Sequence, residues 1–283
     1  MPAGVSRGKV ASFTALAMVA FAANSVLNRL ALAETAIDAA SFTLIRIAAG
    51  ALVLWALVRA RRGERLGGDW PGAAALFVYA AAFSCAYREL AAGTGALLLF
   101  GTVQLTMIAV GLFRGERLRA LQALGLAIAL VGLGVLLSPG VSAPPPGAAM
   151  LMVLAGMSWG VYSLRGRYAR GTPLASTAGN FLRAVPLAVA LAIAGASHAR
   201  IDVTGALYAV LSGAIASGLG YAVWYSALRG LTATTAASVQ LSVPVIAALG
   251  GAALLPEPLS LRLALASAAT LGGIALVVTA RRR

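Results

Sequence analysis

Long apolar stretches alternate along this chain with short polar segments. Windows of about 20 apolar residues are long enough to cross a bilayer as helices. The polar segments between them contain arginine, proline and glycine, which end helices. The pattern predicts ten spanning helices over residues 10–31, 40–58, 72–90, 93–113, 120–137, 147–165, 174–196, 203–228, 231–254 and 260–280. The expected fold class is therefore an all-α integral membrane protein.

Composition supports a membrane protein and argues against other classes. The 283 residues are 60% hydrophobic and 11% charged, whereas soluble domains carry about 25% charged residues. A net charge of +14 could indicate nucleic-acid binding, but the arginines lie between apolar runs, which membrane topology explains better. The single cysteine, Cys85, excludes a disulfide or a cysteine metal site within the chain. We expect a lipid bilayer as partner, no nucleic acid, no cofactor and no metal.

The basic residues also predict orientation. If both termini are cytoplasmic, the inner segments hold 16 Lys and Arg residues and the outer segments hold 4. Cytoplasmic loops of membrane proteins are enriched in this way. The richness in arginine and alanine is typical of a high-GC bacterial genome. We therefore expect a multi-pass protein of the bacterial inner membrane with both termini inside.

The two halves of the chain repeat each other. Val103-Gln104-Leu105-Thr106 matches Val239-Gln240-Leu241-Ser242, and Arg46 matches Arg183. A Glu-x-Leu segment follows in each half, at Glu116 and at Glu257. With five spans per half, the repeats 1–141 and 142–283 must be inverted. Inverted repeats of this kind are typical of secondary transporters, whose substrate sites lie between the halves.

One alternative concerns the first span. Residues 7–9 are basic, an apolar run follows, and Phe21-Ala22-Ala23 resembles a signal-peptide cleavage site. Cleavage there would spoil the ten-span count, because the apolar run extends past Asn24. The transmembrane interpretation is therefore preferred.

Several short segments resemble the drug/metabolite transporter superfamily, and specifically its EamA-type exporters. They are residues 24–32 in the first span, Leu44-Ile45-Arg46 in the second, Gly115-Glu116-Arg117-Leu118 before the fifth, Ser158-Trp159-Gly160-Val161-Tyr162 in the sixth and Glu257-Pro258-Leu259 before the tenth. Within that superfamily the chain is most similar to the bacterial aromatic amino acid exporters. The resemblance implies ten helices around a central cavity that opens alternately to either side.

All eight acidic residues fall in loops or at span ends, and the only histidine, His198, lies in a loop. Proton-driven transporters commonly bury a titrating group within the membrane. We therefore expect uniport or downhill export. Coupling through Glu89, at the mouth of a cavity, remains the alternative.

Two arginines lie inside predicted spans. Arg46 is about six residues from the start of its span, roughly 9 Å deep, and Arg183 is about nine residues into its own. Each could bind a substrate carboxylate or latch a gate. Each could instead snorkel or cap backbone carbonyls, and we favour this structural interpretation.

Aromatic residues cluster on a few spans. Tyr79, Phe83 and Tyr87 form one stripe on the third span. Further aromatic candidates are Phe100, Trp159, Tyr162, Tyr221, Trp224 and Tyr225. Such rings suit a cavity for a flat substrate, although Trp and Tyr also anchor helices at the membrane interface. Tyr87, Trp224 and Tyr225 lie near span ends, where anchoring is the alternative.

Uncharged polar residues within the spans should face the protein interior, because hydrocarbon cannot satisfy them. They are Asn24, Gln104, Ser163, Asn180, Gln240 and Ser242. Interhelical hydrogen bonding is the simpler explanation for most. Gln104 and Gln240 occupy equivalent repeat positions and are therefore site candidates.

Pro244 removes a backbone hydrogen bond in the ninth span, and the resulting kink could be a hinge or a static bend.

The candidate substrate-binding residues are Asn24, Tyr79, Phe83, Phe100, Gln104, Trp159, Tyr162, Ser163 and Gln240. The candidate gating or structural residues are Arg46, Arg183, Tyr87, Glu89, Tyr221, Trp224 and Pro244.

We expect an inner-membrane secondary transporter that exports small metabolites by alternating access, with aromatic amino acids as the leading substrates. Alternatives are a proton-coupled exporter of other amino acids or drugs, and a non-transporting scaffold. An enzyme is not expected, since no catalytic constellation lies at membrane depth. The sequence leaves the oligomeric state open, and a monomer is compatible with it.

Overall fold

A computed structural model describes residues 7–61, 64–115, 117–140, 143–166, 171–231 and 233–280. Glu116 and Arg281 to Arg283 lie outside the described residues. The described part contains helices and no strands, which confirms the all-α prediction. The helices are α1 (Arg7–Glu34), α2 (Ala39–Arg59), α3 (Trp70–Ala86), α4 (Ala92–Phe113), α5 (Ala120–Leu137), α6 (Pro146–Gly166), α7 (Pro173–Ala194), a short 3₁₀ turn (Ala196–His198), α8 (Val203–Leu228), α9 (Ala233–Gln240 and Val243–Leu254) and α10 (Leu261–Ala280).

Nine of these helices are long and apolar enough to cross a membrane, counted over the described residues. The remaining one, α3, is apolar but only 17 residues long. Large aliphatic side chains such as Leu52, Met150 and Ile193 are exposed around the bundle. In water such a surface would be costly, whereas lipid tails solvate it, so the outer surface is that of a membrane protein.

Aspartates start three of the helices. Asp38 accepts hydrogen bonds from the backbone of Ala40 and Ser41, Asp69 from Gly72, and Asp202 from Gly205. A carboxylate here satisfies free N–H groups and complements the positive end of the helix dipole. The acids that the sequence places at span ends thus fix where α2, α3 and α8 begin.

Their surroundings lower the pKa of these carboxyl groups. The Arg165 guanidinium, which donates to Asp69, holds the pKa of Asp69 below its usual range. The hydrogen bond from the Gly205 backbone lowers the pKa of Asp202. Partial burial acts to raise the pKa of Asp38, but hydrogen bonds from Ser41, Arg200 and Ala40 outweigh it, so the pKa is lowered. The three caps therefore stay ionised at neutral pH.

Two spans depart from regular α-helix. In α8, residues Leu211–Leu219 form a π-helical segment between two α-helical ones. π-Segments are often found at functional sites. In α9 the helix ends at Gln240 and a new segment begins at Val243, with Pro244 in its first turn. Proline is tolerated there because first-turn N–H groups have no partner within the helix.

Helices from the two halves pack mainly against each other. The principal pairs are α1 with α8 and α9, α2 with α7 and α8, α3 with α6 and α7, α4 with α6 and α9, and α5 with α10. Small residues permit the closest approaches. A Cβ on Gly213 in α8 would lie 2.0 Å from the carbonyl oxygen of Arg46 in α2, and one on Gly156 in α6 would lie 2.9 Å from that of Leu99 in α4. Such glycine contacts bring helix backbones together where lipid gives no hydrophobic driving force.

Candidate functional site

Five aromatic rings contact one another in sequence through the bundle. Ring centroids are 5.5 Å apart for Tyr221 and Trp159, 4.8 Å for Trp159 and Tyr79, 5.3 Å for Tyr79 and Phe83, and 4.6 Å for Phe83 and Tyr87. These are favourable aromatic distances. We call this row the aromatic ladder. It joins α8, α6 and α3, which no local sequence pattern brings together.

Other aromatic side chains flank the ladder. Tyr162 stacks on Trp159 at 5.2 Å, and Phe21 and Phe181 contact Tyr221 at 5.6 and 6.1 Å. Trp224 contacts Phe21 at 6.0 Å. The predicted candidates Tyr79, Phe83, Tyr87, Trp159, Tyr162, Tyr221 and Trp224 therefore form one continuous aromatic region.

A cluster of uncharged polar groups lies beside the middle of the ladder. The Ser212 hydroxyl donates to Asn24 Oδ1 at 2.7 Å, and the Asn28 amide donates to Ser212 Oγ at 3.2 Å. The Asn24 amide donates to the Tyr79 hydroxyl at 3.4 Å, and Ser84 donates to Asn28 Oδ1 at 3.4 Å. We call Asn24, Asn28, Ser84 and Ser212 the polar cluster. All four are buried, so the cluster holds α1, α3 and α8 together inside the bundle.

Arg46 lies beside both the aromatic ladder and the polar cluster. Its side chain is buried, with 2% of the residue exposed, and Nη2 donates to the Tyr79 hydroxyl at 3.1 Å. The guanidinium lies 5.4 Å from the centre of the Tyr79 ring and 5.1 Å from that of Phe83, which are cation–π distances. Nη1 is buried and has no hydrogen-bond partner among the described residues. This arginine is therefore a buried cation held mainly by aromatic rings.

Arg183, its counterpart in the second half, has a different environment. Its Nη1 donates to the carbonyl oxygens of Gly67 at 2.8 Å and Gly179 at 2.9 Å. Nearby, Arg165 forms an ion pair with Asp69 at 2.7 Å, and Asn180 accepts from the Asp69 backbone. We call this region, where α3 and α7 begin, the Asp69 end of the bundle. Arg183 ties the loop before α3 to α7 there.

An ion pair closes the opposite end, which we call the Glu257 end. Arg29 Nε donates to Glu257 at 2.9 Å, and Arg29 Nη1 donates to the carbonyl oxygens of Tyr87 and Arg88 at 3.2 and 3.0 Å. Glu257 also accepts from the backbone N–H of Ala92 at 2.8 Å, the first residue of α4. One carboxylate thus joins α1, the α3–α4 turn and the loop before α10.

The remaining candidates lie outside these clusters. Phe100 and Gln104 are buried on α4, and Gln240 is half-buried at the end of the first segment of α9. Ser163 is half-buried on α6, and Glu89 is exposed in the α3–α4 turn. None of these residues takes part in the ladder contacts or the hydrogen bonds of the polar cluster.

A cavity of about 250 Å³ opens at the Asp69 end. Arg61, Thr172, Tyr225 and Arg229 line it. The Tyr225 hydroxyl lies 2.7 Å from Thr177 Oγ1, to which the Tyr162 hydroxyl donates at 3.4 Å. Since Tyr162 stacks on Trp159, the cavity connects through these side chains to the ladder. A second cavity of about 400 Å³, beside Met150 and Leu154 on α6, has an almost wholly apolar lining of the kind that faces lipid.

Sequence reasoning missed Asn28, Ser84 and Ser212 as members of the polar cluster, and it missed Arg29 as the partner of Glu257. Arg29 and Asn28 stand in the segment 24–32 that resembles transporters, but nothing in the sequence indicates their partners. Within the described residues, no three His, Cys, Asp or Glu side chains are grouped as metal ligands.

Comparison with known proteins finds a matching family, a related sequence and a solved structure of similar fold. A family model described as the EamA-like transporter family matches residues 147–279. An uncharacterized protein of Pseudomonas aeruginosa is 60% identical over 270 residues, which cover 95% of this chain and 94% of that protein. A solved crystal structure, described only as that of a protein, aligns with a TM-score of 0.69 at 23% identity. That alignment covers 98% of this chain and 100% of the other, and it shows a shared fold.

Proposed function

We propose that this chain, whose residues 147–279 match the EamA-like transporter family, exports small aromatic metabolites across the bacterial inner membrane. Aromatic amino acids are the leading substrates. The observation that carries this proposal is the aromatic ladder, which runs through the bundle beside a buried polar cluster. Rings supply stacking surface for a flat side chain, and the amides and hydroxyls supply hydrogen bonds.

Alternating access commonly uses two related halves. The helix packing supports a repeat of 1–141 and 142–283, and five spans in each half would make that repeat inverted. If each helix is exchanged for the one five places along, the pair α3–α6 becomes α8–α1, and α4–α6 becomes α9–α1. Both resulting pairs occur in the bundle. The pairs α2–α7, α4–α9 and α5–α10 map onto themselves. We propose that α3 also crosses the membrane, which gives ten spans and places the Asp69 end inside.

The proposed orientation predicts where reporters act. A reporter fused after Arg283 that is active only in the cytoplasm should be active, because the basic residues favour cytoplasmic termini. The same reporter inserted near Pro144 should be silent, and a reporter that works only in the periplasm should be active there. A periplasmic C-terminus would contradict both the topology and the inverted repeat.

The function is tested by flux in proteoliposomes that contain the purified chain. Downhill movement of labelled phenylalanine should exceed that of threonine, and a protonophore should not abolish it. The reason is that, in the described part, the acids sit at helix ends or loops rather than at mid-membrane. Equal flux of both amino acids would contradict the substrate assignment. Abolished downhill flux would favour obligatory proton coupling, with Glu89 as the first residue to replace. If nothing moves, the scaffold alternative gains support.

Trp159→Ala should weaken the apparent affinity for phenylalanine several-fold while the protein still inserts. Trp159 lies in the ladder between Tyr221 and Tyr79, and a substrate ring stacked on it would contribute about 0.5–1.5 kcal/mol beyond burial. Trp55→Ala is the matched control, because Trp55 is 40% exposed and contacts Arg59 at the end of α2. The measurement is the concentration dependence of flux for phenylalanine and threonine on both variants. An unchanged ratio in Trp159→Ala would mean that the ladder only packs the bundle.

A further inference from the structure

We propose that the central site takes substrates of net negative charge, namely aromatic monocarboxylates, with the carboxylate bound by Arg46. This inference rests on the proposed export of aromatic metabolites and narrows its substrate class. It shifts the preferred ligand from the zwitterionic amino acid to an arylalkanoate that carries the same ring.

The argument begins with the unfilled bonding capacity of Arg46. A guanidinium presents a planar fork of donors that matches a carboxylate. Here one arm, Nη2, binds Tyr79, while Nη1 is buried without a partner among the described residues. An ionised group within a membrane is costly unless it is paired, and such a group usually marks a ligand or ion site. A substrate carboxylate would supply the missing partner.

Arg183 provides an internal comparison. It too lies within an apolar helix, but its Nη1 is satisfied by the carbonyl oxygens of Gly67 and Gly179. Those carbonyls explain Arg183 as a structural tie between a loop and a helix. No carbonyl contact of this kind accounts for Arg46 among the described residues. The two repeat-related arginines therefore serve different purposes.

The distribution of acids determines which charge the site prefers. Glu257 pairs with Arg29, Asp69 with Arg165 and Glu64 with Arg61. Asp38 and Asp202 cap helices, and Glu34 and Glu89 are exposed. None of the described acids pairs with Arg46, and the polar cluster is uncharged. A substrate ammonium would therefore meet one cation and no carboxylate, which disfavours zwitterions and cations relative to anions.

The rings around Arg46 select the rest of the ligand. Its guanidinium faces Tyr79 and Phe83, and Trp159 lies 4.8 Å from Tyr79. A carboxylate at Arg46 would thus place a short arylalkyl chain against the ladder. The cavity at the Asp69 end is lined by Arg229 and by Arg61, which pairs with Glu64, so the net positive charge there also favours anions.

Three probes that share a phenyl ring test the inference: 3-phenylpropionate, phenylalanine and 2-phenylethylamine. Binding to the full chain in nanodiscs is measured by equilibrium dialysis, and flux in proteoliposomes. The parent protein should bind 3-phenylpropionate at least tenfold more tightly than phenylalanine, and 2-phenylethylamine most weakly.

Arg46→Gln should remove most of the anion preference. Arg46→Lys should keep the preference with lower affinity, because it retains charge without the fork. Arg59→Gln, at the exposed end of the same helix, is the matched control and should leave the preference unchanged.

The outcomes separate this inference from the transport proposal. Equal or tighter binding of phenylalanine by the parent, or an unchanged preference in Arg46→Gln, would overturn the anion site even if phenylalanine is transported. Arg46-dependent binding of 3-phenylpropionate without flux of any probe would support the site and contradict transport. If Arg46→Gln fails to elute as a monodisperse protein, Arg46→Lys decides: weaker binding of 3-phenylpropionate that still exceeds the binding of phenylalanine supports the inference, and unchanged affinity for 3-phenylpropionate overturns it.

Discussion

Replacing Gly213 by alanine is expected to lower the melting temperature of the purified protein by roughly 5–10 °C. Gly213 lies in the π-helical segment of α8, where the backbones of α8 and α2 meet. A Cβ there would lie 2.0 Å from the Arg46 carbonyl oxygen, and backbone cannot move aside without shifting α2. Overpacking of this kind costs about 1–3 kcal/mol, and a backbone clash belongs at the upper end.

Gly134→Ala is the matched control for Gly213→Ala. Gly134 is also helical, but a Cβ at that position would meet nothing within 4 Å. Alanine favours helix over glycine by about 1 kcal/mol, so the control should melt at the same temperature or slightly higher. Both are measured in the same detergent by intrinsic fluorescence. If Gly213→Ala melts like the parent, the close α2–α8 contact is not a determinant of stability.

Neutralising Glu257 is expected to loosen the Glu257 end of the bundle. Glu257→Gln keeps the size of the side chain but loses the charge that binds Arg29 and the start of α4. Hydrogen bonds to charged groups contribute about 1 kcal/mol more than neutral ones, and both partners are largely buried, at 13% and 19% side-chain exposure. If this end opens during transport, as the proposed function requires, the loss of about 1–2 kcal/mol should shift the equilibrium between its closed and open forms by roughly tenfold.

Cys85 reports this opening, because it is the single cysteine and lies in the last turn of α3, beside the segment that Arg29 binds. Its alkylation rate in nanodiscs should rise about tenfold in Glu257→Gln and in Arg29→Gln. The double variant should react no faster than either single one, since the two residues act through one contact. Glu34→Gln, an exposed glutamate on α1, is the control and should match the parent. Independent, additive increases would mean that the pair is not the closing contact.

Part of the candidate site was predictable because it is local. Tyr79, Phe83 and Tyr87 follow each other at helical spacing, so one face of α3 had to carry three rings. The structure places all three in the ladder. The apolar windows likewise predicted the helices closely, since span length is set by bilayer thickness. The predicted 203–228 coincides with α8, whereas the predicted 72–90 is shortened to Trp70–Ala86 by the turn that follows.

Site residues that were predicted only from their equivalent positions in the repeat do not lie in the polar cluster. Gln104 and Gln240 occupy equivalent sequence positions, yet neither joins the polar cluster. Asn28, Ser84 and Ser212 do, although hydropathy treats them as ordinary interruptions of apolar runs. Which face of a helix points inward depends on its rotation about its own axis. In a bundle that rotation is fixed by contacts with other helices, such as the approach of Gly213 to Arg46.

The sequence by itself determined the helices, the acids and prolines that start them, the concentration of basic residues in particular loops and the ring stripe of α3. Each of these depends on neighbours within a few residues or on transfer of a segment into lipid, which composition governs. Only the tertiary structure joined Trp159 and Tyr221 to that stripe, paired Arg29 with Glu257 across 228 residues, and left Arg46 without a carboxylate in the described part of the chain. Those contacts arise from how helices dock and rotate against each other, and close packing of small residues decides that geometry.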